Sequence, residues 1–327
     1  MQIGFIGCGD IARIHAQCLL NSGSIIRGAF DIVSTSALRF VEAYGGRVYA
    51  TAADLCADPD IQAVYICTRH DSHVQYIDLA SLHNKPIYCE KPLGLNAVEA
   101  RRAAELVDQR NTKLMIGFNH RYSSGVMALK GFLKKQTKKF NVMNIIFVSE
   151  PFLEGWPGTA DEGGGVIVCL GSHVFDLVNY LCGEEIVDIK VTALRNRANE
   201  SLLEDTFGAI FKTKHNQLIT ISSHDLATSS FADTPGHNLN TIHVAIDDLM
   251  VTAQTSKINI YGSDYIETHE YPTDKLDSWG YQEINNAFLR YVNGSQEEIP
   301  DVHQGVKAAE IVEQCERQIR GLRFERM

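Results

Sequence analysis

The sequence predicts a two-domain α/β protein: first a doubly wound parallel sheet, then a sheet with one open face. Three observations predict it. The chain has 327 residues, too many for one ordinary core and suited to two. From residue 2 to about 119, short apolar strands alternate with helical segments. Beyond about 140, strands with more regular apolar–polar alternation follow one another. The composition, 45% apolar and 21% charged, is that of an ordinary globular chain.

The first strand is "QIGFIG", followed by "GCGDIA" (7–12) and the helical "ARIHAQCLLNSG". The turn reads G-x-G-x-x-A. Gly7 permits the tight turn, Gly9 lets backbone approach a pyrophosphate, and Ala12 allows close helix packing. The helix start adds free N–H groups and a positive dipole end. Gly7, Cys8, Gly9, Asp10 and Ile11 are therefore candidate dinucleotide contacts. A second strand, "SIIRGAFD", ends in Asp31, 22 residues after Gly9. An acid there can accept from ribose hydroxyls and repel a 2′-phosphate, which points to NAD over NADP. The other reading makes Asp31 the cap of helix "STSALRFVEAYGG", a role that Ser34 or Ser36 could also fill.

The rhythm continues with strand "IQAVYICT" (61–68), helix "DSHVQYIDLASLHN", strand "KPIYCEKP" (85–92), helix "NAVEARRAAELVDQRN" and strand "KLMIGFN" (113–119). Ligands in such sheets gather at the carboxyl ends of the strands. Thr68, Glu90, Lys91 and Asn119 fall there. Lys91 suits proton transfer, and an ion pair with a carboxylate explains it as well.

Residues 163–176, "GGGVIVCLGSHVFD", put Cys169, His173 and Asp176 on one stripe of an apolar helix, at about 100° per residue. Cys169 is either a small buried filler or a proton-transfer group. Strands are expected at 142–152, 186–196, 205–213, 216–224, 241–253 and 257–262. In the loop "EGWPGTADEGGG" (154–165), Glu154, Trp156 and Asp161 could bind a polyol, or Trp156 could simply anchor a surface loop. The polar stretch 224–240 is a lid or an oligomer contact. Two amphipathic helices close the chain.

The formal net charge of −10 disfavours nucleic-acid binding, and "KGFLKKQTKKF" (130–140) reads as a solvated helix end. No run of 18 apolar residues appears, so no membrane span is expected. The opening "MQIGFIGCGD" lacks the features of a signal peptide. Eight scattered cysteines without C-x-x-C fit free thiols in a reducing cytoplasm, with no metal site expected.

"GCGDIA", "CEKP", "GFNHRY" and "GGG-x5-G-x-H-x2-D" together resemble the glucose–fructose oxidoreductase / inositol dehydrogenase (Gfo/Idh/MocA) family, from residue 3 to about 183. "IPDVHQGVKAAEIVEQC" (299–315) extends the match more weakly. The resemblance implies a Rossmann domain, set at 1–121, and a C-terminal α/β domain with an open mixed sheet, set at 122–327, the closing helices being candidates to pack back on the first domain. It implies NAD-dependent hydride transfer at a sugar or cyclitol carbon. Lys91 and His173 look like the catalytic pair, Lys91 also lying near the cofactor. Thr68 and His73 match the ends of a cofactor loop, in which this chain carries Arg69 and His70. Glu90 and Asn119 fall beside the cofactor. Arg121, His173 and Asp176 fall beside the substrate. The Lys91–Pro92 bond is expected to be cis. A homodimer or homotetramer through the C-terminal sheet is expected. Cys169 stands where many dehydrogenases of the family carry Asp. Two further readings stay open: oxidation-assisted elimination on a glycoside, as in glycosidase-like relatives, and a catalytically silent NAD- or sugar-sensing regulator, to which the missing acid at 169 lends weight.

Overall fold

The computed structural model describes residues 1–151, 155–196, 203–227 and 240–319. The chain forms two compact units, Met1–Phe118 with Tyr281–Ala309, and Asn119–Gly280 with Glu310–Met327. The sequence sets the break at 121 and makes the closing helices candidates to pack back on the first domain. The structure breaks at 118 and returns residues 281–309 to the first unit. The reason is hydrophobic. Phe288, on helix Tyr281–Val292, packs edge-on against Tyr65 and Tyr88. Val302 and Ala308, on helix Val302–Ile319, join the same core as Ile66 and Ile116.

In the first unit, β1 (Gln2–Ile6), β2 (Ile25–Phe30), β3 (Arg47–Val48), β4 (Ala63–Ile66), β5 (Ile87–Cys89) and β6 (Leu114–Ile116) form a parallel sheet in the order β3-β2-β1-β4-β5-β6. This is the Rossmann order. Helices α1 (Asp10–Asn21), α2 (Ser34–Tyr44), α3 (Ala52–Ala57), α4 (His73–Leu82) and α5 (Ala97–Arg110) provide the crossovers. Local chemistry fixes α5 well. Asn96 Oδ1 accepts from the Glu99 amide, and the Glu99 carboxylate accepts from the Leu95 amide, one residue before the position a capping box uses. Asn111 ends the helix in the left-handed region at φ 48°. Ala100, Ala103, Ala104 and Val107 make its buried face.

In the second unit, helix α6 (Ser124–Lys135), β7 (Val142–Val148), helices α7 (Gly165–Cys169) and α8 (Gly171–Cys182), and then β8 (Ile186–Leu194), β9 (Thr206–Thr213), β10 (Leu218–His224), β11 (Asn240–Ile246), β12 (Leu249–Gln254), β13 (Lys257–Tyr261) and β14 (Ile266–Glu270) follow. The strands form a mixed sheet in the order β14-β13-β12-β11-β7-β10-β9-β8, with β7 and β10 parallel. Alternation governs it: Met143, Ile145 and Phe147 are buried, while Asn144 and Ile146 face outward. The expected strand 241–253 is a hairpin, turning at Asp247 with φ 51°. β14 has no buried residue, so no apolar pattern announces it.

By length and composition the stretch Gly165–Cys182 could cross a membrane, with mean hydropathy 1.5 over 18 residues. It is 89% buried inside the protein and behaves as a core element.

Glu204, 4% exposed, accepts the Ile167 amide of α7 at 3.0 Å. Burial pushes its carboxyl from the ordinary 4.5 up to about 7. The folded chain therefore binds this proton more tightly than the unfolded chain, and stability falls as pH rises from 4.5 to about 7. Glu204→Gln is expected to stabilise the protein at pH 8, by roughly 3 kcal/mol at most. Urea unfolding across pH checks it: the gain should vanish near pH 4.5, below the rise.

Candidate active site

The glycine turn has the shape of a dinucleotide cradle. Gly7 sits at φ +90°, and a Cβ there would lie 2.4 Å from the Cys67 carbonyl oxygen, so only glycine fits. A Cβ at Gly9 would meet nothing within 4 Å, so the backbone faces open space. Gly9 caps α1 and no side chain satisfies the helix's first N–H groups. Those of Asp10 and Ile11 open the helix, and the Asp10 side chain is exposed. These features fit the pyrophosphate of a dinucleotide. Cys8 also links the turn to Asp31. Its amide donates to Asp31 Oδ2 at 2.8 Å, and burial pushes its thiol up to about 12.

Asp31 stands at the carboxyl end of β2. It ties the glycine loop through Cys8 and the next turn through the Val33 amide at 2.8 Å. Val33 is the N-cap of α2 and makes no side-chain cap bond, so neither Ser34 nor Ser36 takes that role. Each carboxylate oxygen keeps acceptor capacity beyond one N–H, which suits ribose hydroxyls.

Thr68, Glu90 and Lys91 follow β4 and β5 at the same edge of the sheet. The Thr68 hydroxyl accepts from Ser72 Oγ at 2.9 Å. His73, expected beside the cofactor, is fully buried: its Nδ1 lies 2.7 Å from the Pro92 carbonyl and its Nε2 3.1 Å from the Thr68 carbonyl. Burial holds its pKa below the ordinary histidine value. A neutral imidazole carries one N–H, so His73 donates to one of these carbonyls, the nearer being that of Pro92. Glu90 is also turned inward. Its Oε1 lies 2.8 Å from His15 Nε2, and its Oε2 is 3.3 Å from the Lys91 amide. The Lys91–Pro92 bond is cis.

In the second unit, the stripe of Cys169, His173 and Asp176 is buried on α7 and α8. The Cys169 thiol donates to the Gly163 carbonyl at 3.4 Å, which ties the helix to the glycine turn before it. His173, 8% exposed, packs against the Phe147 ring and takes His120 edge-on, centroids 4.8 Å apart. Asp176 and Arg121, both expected beside substrate, bind each other. Arg121 Nε donates to Asp176 Oδ2 at 2.7 Å and a second guanidinium nitrogen to Oδ1. Both are buried, with the guanidinium over the Tyr180 ring. Asn119 likewise donates to the Trp279 carbonyl at 2.8 Å. Trp156 opens a short 3₁₀ turn, Trp156–Gly158, and Asp161 is exposed in the loop after it. Glu154 lies outside the described residues. Among the described residues, no group of three or more His, Cys, Asp or Glu could hold a metal.

His15, Asn285, His120 and Trp279 were not singled out from sequence. The signal for His15 is an imidazole on the buried face of α1, in "ARIHAQ". His120 lay inside "GFNHRY", between two residues that drew attention instead.

Residues 1–118 match the oxidoreductase family with the NAD-binding Rossmann fold, GFO_IDH_MocA, and residues 145–248 match the GFO/IDH/MocA C-terminal domain. The chain belongs to the Gfo/Idh/MocA family. It is an enzyme of the NAD-dependent dehydrogenase/reductase class, and NAD is its cofactor. It is 25% identical over 319 residues to the myo-inositol 2-dehydrogenase of Thermotoga maritima, spanning 95% of this chain and 89% of that one. It is 27% identical over 236 residues to an inositol 2-dehydrogenase of Rhizobium meliloti, 71% of each chain. The fold matches a levoglucosan dehydrogenase solved with NADH and levoglucosan, at TM-score 0.85 and 16% identity over 98% of this chain and 97% of that one.

Removing one member of the Arg121–Asp176 pair leaves the other charge buried alone. Arg121→Met is expected to cost roughly 3–5 kcal/mol, and Arg121→Met with Asp176→Leu to recover most of it. Urea unfolding of the three proteins checks this. A double variant no more stable than the single would show that packing dominates the charge.

Proposed function

We propose that this enzyme oxidises or reduces a CH–OH carbon of a cyclitol or a sugar-like ring. The observation that carries the reading is the placement of Glu90-Lys91-Pro92 at the end of β5, on the sheet edge that also carries the glycine cradle and Asp31. NAD supplies the hydride acceptor or donor. Gly7, Gly9 and the first N–H groups of α1 hold its pyrophosphate, and Asp31 takes the adenosine ribose. Lys91 and His173 are proposed to exchange the hydroxyl proton. Thr68 shapes the cofactor side. Trp156, Asp161 and Glu154 are proposed to meet the polyol. Names of relatives that act on inositol support a cyclitol as the first substrate to test. The outward face of the second sheet, with Ile146 and Ile210 about half exposed, suits association into a homodimer or homotetramer. All eight cysteines are buried and none forms a disulfide, which fits a reducing cytoplasm.

NADH is expected to bind at least about tenfold more tightly than NADPH, because the Asp31 carboxylate repels a 2′-phosphate. Calorimetry with both cofactors checks this, and Asp31→Ser should narrow the gap. Equal affinities for the unaltered protein would remove Asp31 from the ribose role.

Turnover is read at the NADH absorbance with NAD and a panel of cyclitols and sugars, beginning with myo-inositol. Lys91→Ala and His173→Ala are each expected to lose about 10²–10⁴-fold in kcat while still binding NADH. Binding of NADH without turnover of any panel member would overturn the cyclitol or sugar reading of the substrate.

A further inference from the structure

Lys91 is anchored on both sides by buried histidines of the first unit. After it, the Pro92 carbonyl is held by His73 at 2.7 Å. Before it, Glu90 is held by His15, itself completely buried. The protons on the Glu90 side can be placed from geometry. The Tyr281 carbonyl can only accept, so the Asn285 side-chain atom 2.8 Å from it is Nδ2, a donor. That same Nδ2 lies 2.8 Å from His15 Nδ1, so Nδ1 must accept. The ring proton is then on Nε2, and it is donated to Glu90 Oε1. Asn285 Oδ1 in turn accepts from the Tyr65 hydroxyl at 2.9 Å. The line Tyr65–Asn285–His15–Glu90 runs in one sense, each donor meeting an acceptor. Gly117 makes room for it, since a Cβ there would lie 2.6 Å from Glu90 Oε1.

A buried line of this kind needs only apolar groups if its task is packing, and replacing both partners of a buried pair by apolar groups can be nearly neutral. Its end point suggests another task. The carboxylate it holds belongs to the residue before Lys91, and the other oxygen of that carboxylate faces the Lys91 amide. We propose that His15, backed by Asn285 and Tyr65, is a positioning residue for Lys91: it fixes the Glu90 carboxylate against the Lys91 backbone and so sets where the lysine side chain leaves the sheet edge. The proposal rests on the catalytic reading of Lys91.

The test uses the full chain and compares the unaltered protein with His15→Phe, Glu90→Gln, the double variant, Asn285→Ala and Lys91→Ala. The rate is expressed as kcat per NADH-binding site, with NAD and myo-inositol, so misfolded protein does not count. His15→Phe is expected to lose about tenfold or more in kcat with little change in NADH affinity, since a small misplacement of a reacting group carries such a cost. The double variant should be no slower than Glu90→Gln alone, because both changes cut the same line. Asn285→Ala should show the same pattern more weakly, and decides the matter if His15→Phe does not fold. A kcat per site within about twofold of the unaltered protein, or losses that multiply fully, would overturn the proposal. If Lys91→Ala itself retains turnover, the catalytic reading of Lys91 fails first. If myo-inositol is not turned over, acetylation of Lys91 by acetic anhydride, followed by mass spectrometry, replaces the rate. A change of about threefold or more in His15→Phe, relative to Lys85 and Lys113, supports the proposal; an unchanged rate overturns it.

Discussion

The first unit depends on the parallel pairing of β1 with β2 on one side and β4 on the other. Parallel strands all end at one edge, and the crossover after β1 leads to β2 while that after β4 leads the other way to β5, so the edge between β1 and β4 opens. The turn that β1 feeds has to bend at once, and Gly7 at φ +90° against the Cys67 carbonyl is how it does so. Ladder-like bonds carry the order past the strand ends. Cys67 donates to Ile6, Glu90 to Ile66 and Gly117 to Cys89. Asp31, Thr68, Glu90 and Lys91 are therefore delivered to one edge by backbone geometry, before any side-chain chemistry acts.

That edge is stabilised by polar groups buried behind it. Asp31 spends its two oxygens on the amides of Cys8 and Val33, and His73 joins the loops after β4 and β5. Buried polar atoms must be paired, and pairing restricts motion. The residues closest to the proposed chemistry are thus held by neighbours whose own donors and acceptors are already engaged.

The second unit follows a different rule. Its sheet packs one face on helices and leaves the other outward, so its polar core residues cluster on the helix side. Arg121 and Asp176 neutralise each other under α8, and His173 lies among the rings of Phe147 and His120. The Cys169 thiol donates to the Gly163 carbonyl. Glu204 holds the start of α7 through the Ile167 amide, and Asp176, on the stripe of His173, ties α8 to Arg121.

The sequence by itself determined the alternation of strands and helices, the glycine turn, Asp31 at the end of β2 and Lys91 at the end of β5. Each rests on local facts: apolar period, a glycine forced by positive φ, a residue's offset from a strand end. Tertiary structure alone decided what faces what. Arg121 and Asp176 are 55 positions apart, and nothing local says that they satisfy each other instead of a ligand. Asn119 finds Trp279 across 160 positions, and His15 finds Asn285 across 270. The return of residues 281–309 to the first unit has the same origin. An amphipathic helix declares that it has a face to bury, but which core receives Phe288 is settled only when Tyr65 and Tyr88 are brought beside it. Periodicity is a property of neighbours in sequence, whereas pairing is a property of neighbours in space, and polar groups take their function from the second.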